Sequence, residues 1–426
     1  MKVLWFSNSP SLAAEYLNKK SNTEGWISSL EGHIGKIDDI ELGVAFPYDS
    51  SKVENFKIDN TSYFSYPLPK ITGRINQIRQ RWNHKTEDES GVNYFIDIVN
   101  KFNPDLIHIF GTELSFGLLI PSVKVPVVIQ IQGNLTVVSK KWFSGVSFID
   151  ILRFSSFLNL IRAHGIWHYY FIFKNLAKRE RKIFKNCKNF IGRTDWDNRI
   201  ARILSPGSSY FHCDEMLREV FFQKSWNSPS NKNNLIFSTL KPHTYKGLET
   251  ILETAAILKN AGYIDFQWRI AGVSGKEEII GIIEKSYNLK FIDQNILFLG
   301  SITAEELVDA LLFANCYIHP SHIENSPNSL CEAMLLGVPV ISTYAGGIPS
   351  IVSNKNDGIL VQDGDPYALA GAILEFAEDP EKAKMLGKNA RTTALIRHNP
   401  QKIVKDLLDI YAKLISGNVQ NKSMNN

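Results

Sequence analysis

The sequence predicts an α/β protein built from two halves, each with a doubly wound parallel sheet. The chain has 426 residues, a length typical of two or three domains. Short apolar runs that end in glycine or polar loops alternate with helical segments, which indicates parallel sheets covered by helices on both faces. A polar stretch at residues 224–234 lies between the halves and is the best linker candidate.

The first half, residues 1–224, is predicted to form a Rossmann-like domain. Asn103-Pro104 ends a helix before the next strand, because proline cannot continue a helix. Strands are predicted at 2–6, 40–45, 61–66 (ending at Pro67-Leu68-Pro69), 106–110, 125–131 and 190–194, and helices at 27–33 and 93–102.

The second half, residues 233–399, is predicted to form a second Rossmann-like domain. Thr303 is predicted to cap a helix, and Gly337 to close another in the left-handed conformation. Strands are predicted at 234–238, 268–272, 295–300, 316–320 and 338–342, and helices at 304–313 and 328–336. Residues 400–416 are predicted to form an amphipathic helix that crosses back to the first domain, and 417–426 a disordered tail.

Glu324 and Glu332 flank a predicted loop-to-helix junction. Ser326 suits the N-cap and Pro327 the first helical position, so Glu324 belongs to the loop and Glu332 to the helix. Free N–H groups at a helix start suit a diphosphate, and like charges repel, so the two carboxylates would bind hydroxyls instead. For either glutamate alone, the alternative is a surface salt bridge.

These residues belong to a longer pattern, formed by Pro320-Ser321-His322-Ile323-Glu324, Glu332-Ala333-Met334, Gly337-Val338-Pro339-Val340 and Gly346-Gly347-Ile348-Pro349. The pattern resembles glycosyltransferase family 4, the retaining transferases with a GT-B fold. The resemblance implies two Rossmann-like domains that face a central cleft. In that family the first glutamate contacts the donor sugar and the second the ribose, so these roles fall on Glu324 and Glu332.

The resemblance also assigns a basic pair that clamps the donor diphosphate. Lys241 and Lys246, the latter followed by Gly247, come after the first predicted strand of the second half. Two cations there would neutralise the leaving group without a metal, although a lone loop lysine is usually only solvated. The remaining donor-binding candidates are Gly272, Asn325, Ser326, Pro327, Asn328 and Gly25.

The first domain is expected to bind the acceptor, through side chains that follow its strands. The acceptor-side candidates are Glu113, Gln132, Asn134 and Arg193. The chain departs from the family in having Glu24-Gly25 where two glycines are common, Gln132 where histidine is common, and Ser350 where glutamate is frequent. Because glutamine cannot act as a base, Gln132 is not expected to deprotonate the acceptor. The three departures affect contacts with the acceptor and individual contacts with the donor, not the class of reaction.

Composition gives no sign of a nucleic-acid-binding protein or a metal site. The formal net charge is +4, and no zinc-finger or RNA-binding signature occurs. Four cysteines without a C-x-x-C pair suggest a reducing cytoplasm. Asp195-Trp196-Asp197 has a metal-binding D-x-D form but is better explained as a helix start, and residues 211–215 as a domain-linking turn. No metal or cofactor is expected.

A basic, aromatic stretch at residues 161–190 allows two interpretations. Its lysines and arginines with interleaved aromatic residues suit an anionic membrane surface, which would make the protein peripheral on the inner face of the cytoplasmic membrane. The alternative is an amphipathic helix that packs on the sheet and exposes a basic face.

The sequence therefore predicts transfer of a sugar from a nucleotide-diphosphate sugar to a hydroxyl of a glycan or lipid-linked saccharide, in surface polysaccharide biosynthesis. Two alternatives stay open: a GT-B sugar-nucleotide epimerase, and a catalytically silent donor-binding subunit of an assembly complex. A Rossmann dehydrogenase is poorly supported, because no G-x-G-x-x-G follows the first strand.

Overall fold

The computed structural model describes residues 1–17, 25–48, 55–67, 73–84, 86, 91–228 and 234–424. Contacts within the chain divide it into two compact units. The first unit comprises Met1–Thr136, Ile172–Met216 and His398–Asn426, and the second comprises Val137–Phe171 and Leu217–Arg397.

Each unit contains one sheet, and the predicted fold class is confirmed. The strands of the first are β1 Lys2–Phe6, β2 Glu41–Tyr48, β3 Asn55–Ile58, β4 Thr61–Pro67, β5 Leu106–Phe110, β6 Val127–Gln130, β7 Asn189–Gly192 and β8 Ser209–His212. Those of the second are β9 Asn234–Thr239, β10 Phe266–Ala271, β11 Ile296–Gly300, β12 Cys316–His319, β13 Val340–Thr343 and β14 Ile359–Val361.

The helices alternate with the strands, as the sequence pattern predicts. They are α1 Ala13–Tyr16, α2 Trp26–Ile34, α3 Arg74–Trp82, α4 Val92–Phe102, α5 Leu135–Lys141, α6 Phe148–Phe154, α7 Phe157–Ile161, α8 Ile166–Asn186, α9 Asp195–Leu204, α10 Val220–Gln223, α11 Leu248–Asn260, α12 Glu278–Tyr287, α13 Ala304–Leu312, α14 Asn328–Leu336, α15 Pro366–Glu378, α16 Pro380–Arg397 and α17 Pro400–Met424.

The first sheet has the order β3-β4-β2-β1-β5-β6-β7-β8. Its strands pair in parallel, except that β3 runs antiparallel to β4. Trp5 packs in the hydrophobic cluster on one face and Leu4 in the cluster on the other, so the sheet is covered on both sides. The edge strand β3 was not predicted, because its alternately exposed residues form no continuous apolar run.

The second sheet is entirely parallel, with the order β11-β10-β9-β12-β13-β14. Phe237 and Ile236 on β9 belong to opposite core clusters, so this sheet is also covered on both faces. The strand order reverses between β9 and β12. In such sheets ligands bind beyond the carboxyl ends of the two strands at the reversal.

The predicted domain limits need two corrections. Residues 137–171 fall in the second unit, not in a first domain of 1–224, because Val146 and Ile151 are buried in the same cluster as Ile279 and Ile282. The division lies between Met216 and Leu217, before the predicted limit at 224. Residues 229–233 of the predicted linker, including the predicted start of the second domain at 233, lie outside the described residues.

The last helix belongs to the first unit, where it packs beside β1 and β5. Ile403, Leu407 and Tyr411 are buried in a cluster with Trp5. Trp5 Nε1 donates to Tyr411 Oη over 3.0 Å, and that hydroxyl lies 2.6 Å from Nδ1 of buried His108. The helix continues to Met424, so the predicted disordered tail is wrong for residues 417–424.

The basic stretch at 161–190 forms mainly helix α8. Phe184 is buried, Trp167 and Phe173 are half-buried, and Tyr169 is exposed. This pattern resembles the packed-helix alternative more than a free aromatic face. Within the described residues, no helix combines the length and the apolar character needed to span a membrane.

Candidate active site

The loops that follow β9 and β12 carry most of the predicted site residues. Their strands are neighbours at the point where the order of the second sheet reverses, with Tyr317 opposite Phe237. The β9 loop carries Lys241 and Lys246, and the β12 loop carries Glu324. The topology therefore brings the predicted basic pair and the first glutamate to one edge of one sheet.

Glu324 is the centre of a small polar cluster. Its Oε1 accepts a hydrogen bond from Lys246 Nζ and another, over 3.2 Å, from Ser321 Oγ, and it lies 3.3 Å from His319 Nε2. Burial would raise the pKa of Glu324, but the charge of Lys246 and the contact with His319 outweigh this and lower it to about 2. The carboxylate is therefore ionised at neutral pH, and its contacts with described side chains converge on Oε1.

Two glycines let the backbone approach this cluster closely. Gly247 has φ 77°, and a Cβ there would overlap the carbonyl oxygen of Pro320. Gly346 has φ 56°, and a Cβ there would overlap the carbonyl oxygen of Glu324, which accepts a hydrogen bond from the Gly347 N–H over 2.9 Å. Glycine tolerates both the conformation and the contact, so the motif glycines fix the position of the Glu324 loop.

The basic pair is asymmetric. Lys246 is half-buried and bound to Glu324, whereas Lys241 is exposed. Gly272, a predicted donor-binding residue, has φ 86° at the end of β10 and lies against the Leu240 backbone. A glycine at position 272 therefore lets two loops of the second unit pack together.

Glu332 lies on α14 and is held by a residue that the sequence did not single out. Arg218 Nε donates to Glu332 Oε1 and Arg218 Nη2 to Glu332 Oε2, each over 2.8 Å. Burial raises the pKa of Glu332, and the Arg218 fork opposes this. A carboxylate offers about four acceptor positions, so the fork leaves room for hydroxyl donors.

Removing the Arg218 fork is expected to destabilise the second unit more than removing the whole pair. Arg218→Gln should lower the free energy of unfolding by roughly 3 kcal/mol, because Glu332 then stays buried without its partner. Denaturant titration should show that adding Glu332→Gln recovers much of this loss. A double variant as unstable as the sum of the two single variants would contradict the prediction.

The junction before α14 differs by one residue from the predicted cap. The helix begins at Asn328 as predicted, but Pro327, with ψ 113°, is the N-cap and Ser326 precedes it. Ser326 Oγ lies 4.0 Å from Cys331 Sγ, and Asn325 is buried beside it in the loop. Gly337 has φ 87°, which confirms the left-handed C-cap.

The inserted segment 137–171 supports the β9 and β12 loops, a contact set that the sequence did not indicate. Thr244 Oγ1 donates to the Trp142 carbonyl, and the Trp142 ring lies 6.4 Å from the His243 ring. Burial, helped by Lys246 and Lys241, lowers the pKa of His243 to about 4, so this ring is neutral at pH 7.

Asp363 connects the same segment, through Lys141, with His322 of the β12 loop. His322 Nε2 lies 2.7 Å from Glu249 Oε1 and its Nδ1 3.4 Å from Asp363 Oδ2, and Lys141 Nζ lies 3.2 Å from the same aspartate oxygen. Burial alone would lower the pKa of His322, but the two carboxylates outweigh it and raise the pKa.

The His322 contacts predict a pH-dependent contribution to stability. A raised folded-state pKa means that the contribution is complete below the unfolded value of about 6.5 and is lost as pH rises through the folded value. Denaturant titrations should therefore show a larger destabilisation by His322→Gln at pH 6 than at pH 9. An equal difference at both pH values would rule out this contribution of the charged ring.

The acceptor-side candidates all lie in the first unit, beyond the ends of β5, β6 and β7. Burial, helped by the charge of Glu180, raises the pKa of Glu113 to about 7, although Arg193 opposes this. Arg193 lies 3.5 Å from Glu215 and stacks over the Trp26 ring at 4.4 Å. The structure places Gln132 and Asn134 after β6, and Gly25 at the N-cap of α2; Glu24 is outside the described residues.

The D-x-D segment is a helix start, as predicted. Thr194 caps α9, and its side chain accepts from the Asp197 N–H while the Asp197 side chain accepts from the Thr194 N–H. Both carboxylate oxygens of Asp197 are used in local hydrogen bonds, including one of 2.9 Å from the Arg193 N–H.

Part of the chain is similar to known glycosyltransferases. Residues 220–393 match the family model described as glycosyl transferases group 1. The chain is 29% identical over 186 residues to Escherichia coli K12 WcaL, provisionally named a colanic acid biosynthesis glycosyltransferase. That match covers 42% of this chain and 45% of WcaL, so it spans less than half of the relative.

Two solved structures resemble the whole chain. Sucrose-phosphate synthase from Thermosynechococcus elongatus has a TM-score of 0.71 and 16% identity, with 98% of this chain and 99% of that chain covered. Anabaena HepE, solved in complex with UDP-glucose, has a TM-score of 0.62 and 16% identity, with coverage of 97% and 100%. The chain has the GT-B fold, and its residues 220–393 match the group 1 glycosyl transferases.

Proposed function

We propose that this protein is a retaining transferase of glycosyltransferase family 4. It moves a sugar from a nucleotide-diphosphate sugar to a hydroxyl of a glycan or lipid-linked saccharide. The observation that carries the proposal is the Lys246–Glu324 pair at the strand-order reversal of the second sheet. It combines a fixed cation for a diphosphate with an ionised carboxylate for sugar hydroxyls.

The proposed chemistry is a displacement on the face from which the diphosphate leaves. The bond from the anomeric carbon to the diphosphate oxygen breaks, the acceptor oxygen bonds to that carbon, and the departing phosphate takes the acceptor proton. Lys246 and Lys241 stabilise the negative charge of the leaving group, as does the start of α14. Glu324 accepts hydrogen bonds from the sugar, and Glu332, oriented by Arg218, accepts them from the ribose.

The biological setting is proposed from the relatives. WcaL carries a name from colanic acid biosynthesis, which supports a role in surface polysaccharide assembly. The HepE complex contains UDP-glucose, which supports a nucleotide sugar as donor. The four cysteines all lie in the described part of the chain, are buried and form no disulfide bond, which supports a location in the reducing cytoplasm.

The test is nucleoside-diphosphate release by the purified protein, with a panel of nucleotide sugars and a membrane-lipid extract known to contain acceptor. Release from one donor, with NMR showing the donor's anomeric configuration retained in the product, would support the proposal. Donor isomerisation without release would instead indicate an epimerase. Donor binding without release would indicate a silent subunit.

A further inference from the structure

Two short helices of the second unit, α6 and α7, expose six large apolar side chains to solvent. Ile149 and Phe157 are each 73% exposed. The other large apolar residues exposed on these helices are Phe148, Leu152, Leu158 and Ile161. Isolated exposed apolar residues are ordinary, but six within fourteen positions indicate a surface that something covers.

The opposite side of α6 is firmly packed, and the N-cap residue of α7, Ser156, contacts α12. Val146 and Ile151 are buried in the core of the second unit, and α6 packs against α12. The Ser156 N–H donates to Glu278 Oε1 over 3.0 Å. The exposed apolar residues of α6 therefore belong to a helix held by the core, and α7 follows it directly in the chain.

The charged residues of segment 137–171 are mostly positive, although Glu278 of α12 also reaches this surface at Ser156. Arg153 and Arg162, at the ends of α6 and α7, are exposed, as is Lys140. Asp150 is the only acidic residue between positions 137 and 171, and its Oδ2 accepts a hydrogen bond from Ser147 Oγ over 2.7 Å. Apolar side chains flanked by arginines match a bilayer interface with anionic headgroups.

We propose that α6 and α7 form a docking surface for an anionic lipid bilayer. This surface overlaps the basic stretch at 161–190 only at Ile161 and Arg162, and the aromatic residues of that stretch are largely half-buried or buried. Docking would hold the second unit, which carries Lys246 and Glu324, at the membrane. The proposal does not depend on the transferase reaction, because lipid binding is measured without a donor.

The experiment is co-sedimentation of the full-length protein with vesicles of phosphatidylcholine alone or mixed with phosphatidylglycerol. Phe157→Ser/Ile161→Ser should lower affinity for the mixed vesicles at least about tenfold, because two inserting apolar side chains are lost. Ile264→Ser/Ile292→Ser is the matched control, since it removes two exposed isoleucines outside these helices. Arg153→Gln/Arg162→Gln should weaken binding to the mixed vesicles only, with a smaller effect at high salt.

Circular dichroism and ultracentrifugation without lipid complete the test. The proposal would be supported if all variants were folded monomers and if the apolar and arginine variants, but not the control, bound the mixed vesicles more weakly than the wild-type protein. It would be overturned if the wild-type protein bound neither vesicle type, or if Phe157→Ser/Ile161→Ser and the control variant bound with equal affinity. It would also be overturned if the wild-type protein were a dimer that Phe157→Ser/Ile161→Ser dissociates, because a second copy would then cover the surface.

Discussion

Replacing Glu324 with glutamine is expected to lower kcat about 10²–10³-fold and to change donor affinity only a few-fold. Glutamine keeps the size of the side chain and a carbonyl acceptor toward Lys246, but it carries no charge. Glycosyl transfer develops positive charge at the anomeric carbon, so a fixed anion stabilises the transition state more than the ground state. Steady-state rates and donor titration of the same preparations would separate the two effects.

The matched control is Glu305→Gln, which removes an exposed carboxylate at the start of α13 in the same unit. It should retain nearly full kcat. If Glu324→Gln kept wild-type kcat, or lost only affinity, the carboxylate would have no role in the transition state.

The low pKa of Glu324 predicts how its contribution to stability depends on pH. A pKa depressed to about 2 means that the group contributes stability above its unfolded value of about 4.3, and that this is lost as pH falls toward 2. The stability difference between the wild-type protein and Glu324→Gln should therefore be constant from pH 6 to 8 and shrink below about pH 4. Any pH dependence of kcat near neutrality would then arise from other groups.

Local features of the site could be predicted because they depend on neighbours in the chain. The helix at 328–336 and its glycine cap follow from residue types within a few positions of each other, and both are confirmed. The same is true of Thr303 as the cap of the helix that begins at Ala304; the structure adds a reciprocal hydrogen bond from the Thr303 N–H to Glu306. The alternation of strands and helices likewise predicted both doubly wound sheets, whose topology brings Lys246 and Glu324 together.

Contacts between distant parts of the chain could not be predicted in this way. Arg218 and Glu332 are 114 positions apart, and nothing beside Arg218 indicates its partner. Segment 137–171 lies between β6 and β7 of the first sheet in sequence, yet Val146 and Ile151 pack in the second unit. Tertiary packing decides which two apolar surfaces contact each other. A single sequence shows only that both surfaces exist.

The two lysines are expected to differ in importance. Lys246→Gln should lower kcat about 10²–10³-fold, because it removes the cation beside the leaving group and leaves Glu324 without its ion pair. Lys241→Gln should lower kcat about tenfold or less, because Lys241 is exposed, so that water screens its charge and its position is less fixed.

Comparison with Lys246→Arg would separate charge from geometry at this position. Arginine keeps the cation but replaces a compact ammonium by a planar fork, so kcat should be only partly restored. Lys276→Gln, in the loop before α12, is the control for loss of a lysine elsewhere in the unit. If Lys241→Gln lost more kcat than Lys246→Gln, the exposed lysine would be the main diphosphate contact, and the observed Lys246–Glu324 pair would then serve chiefly to hold the β9 and β12 loops together.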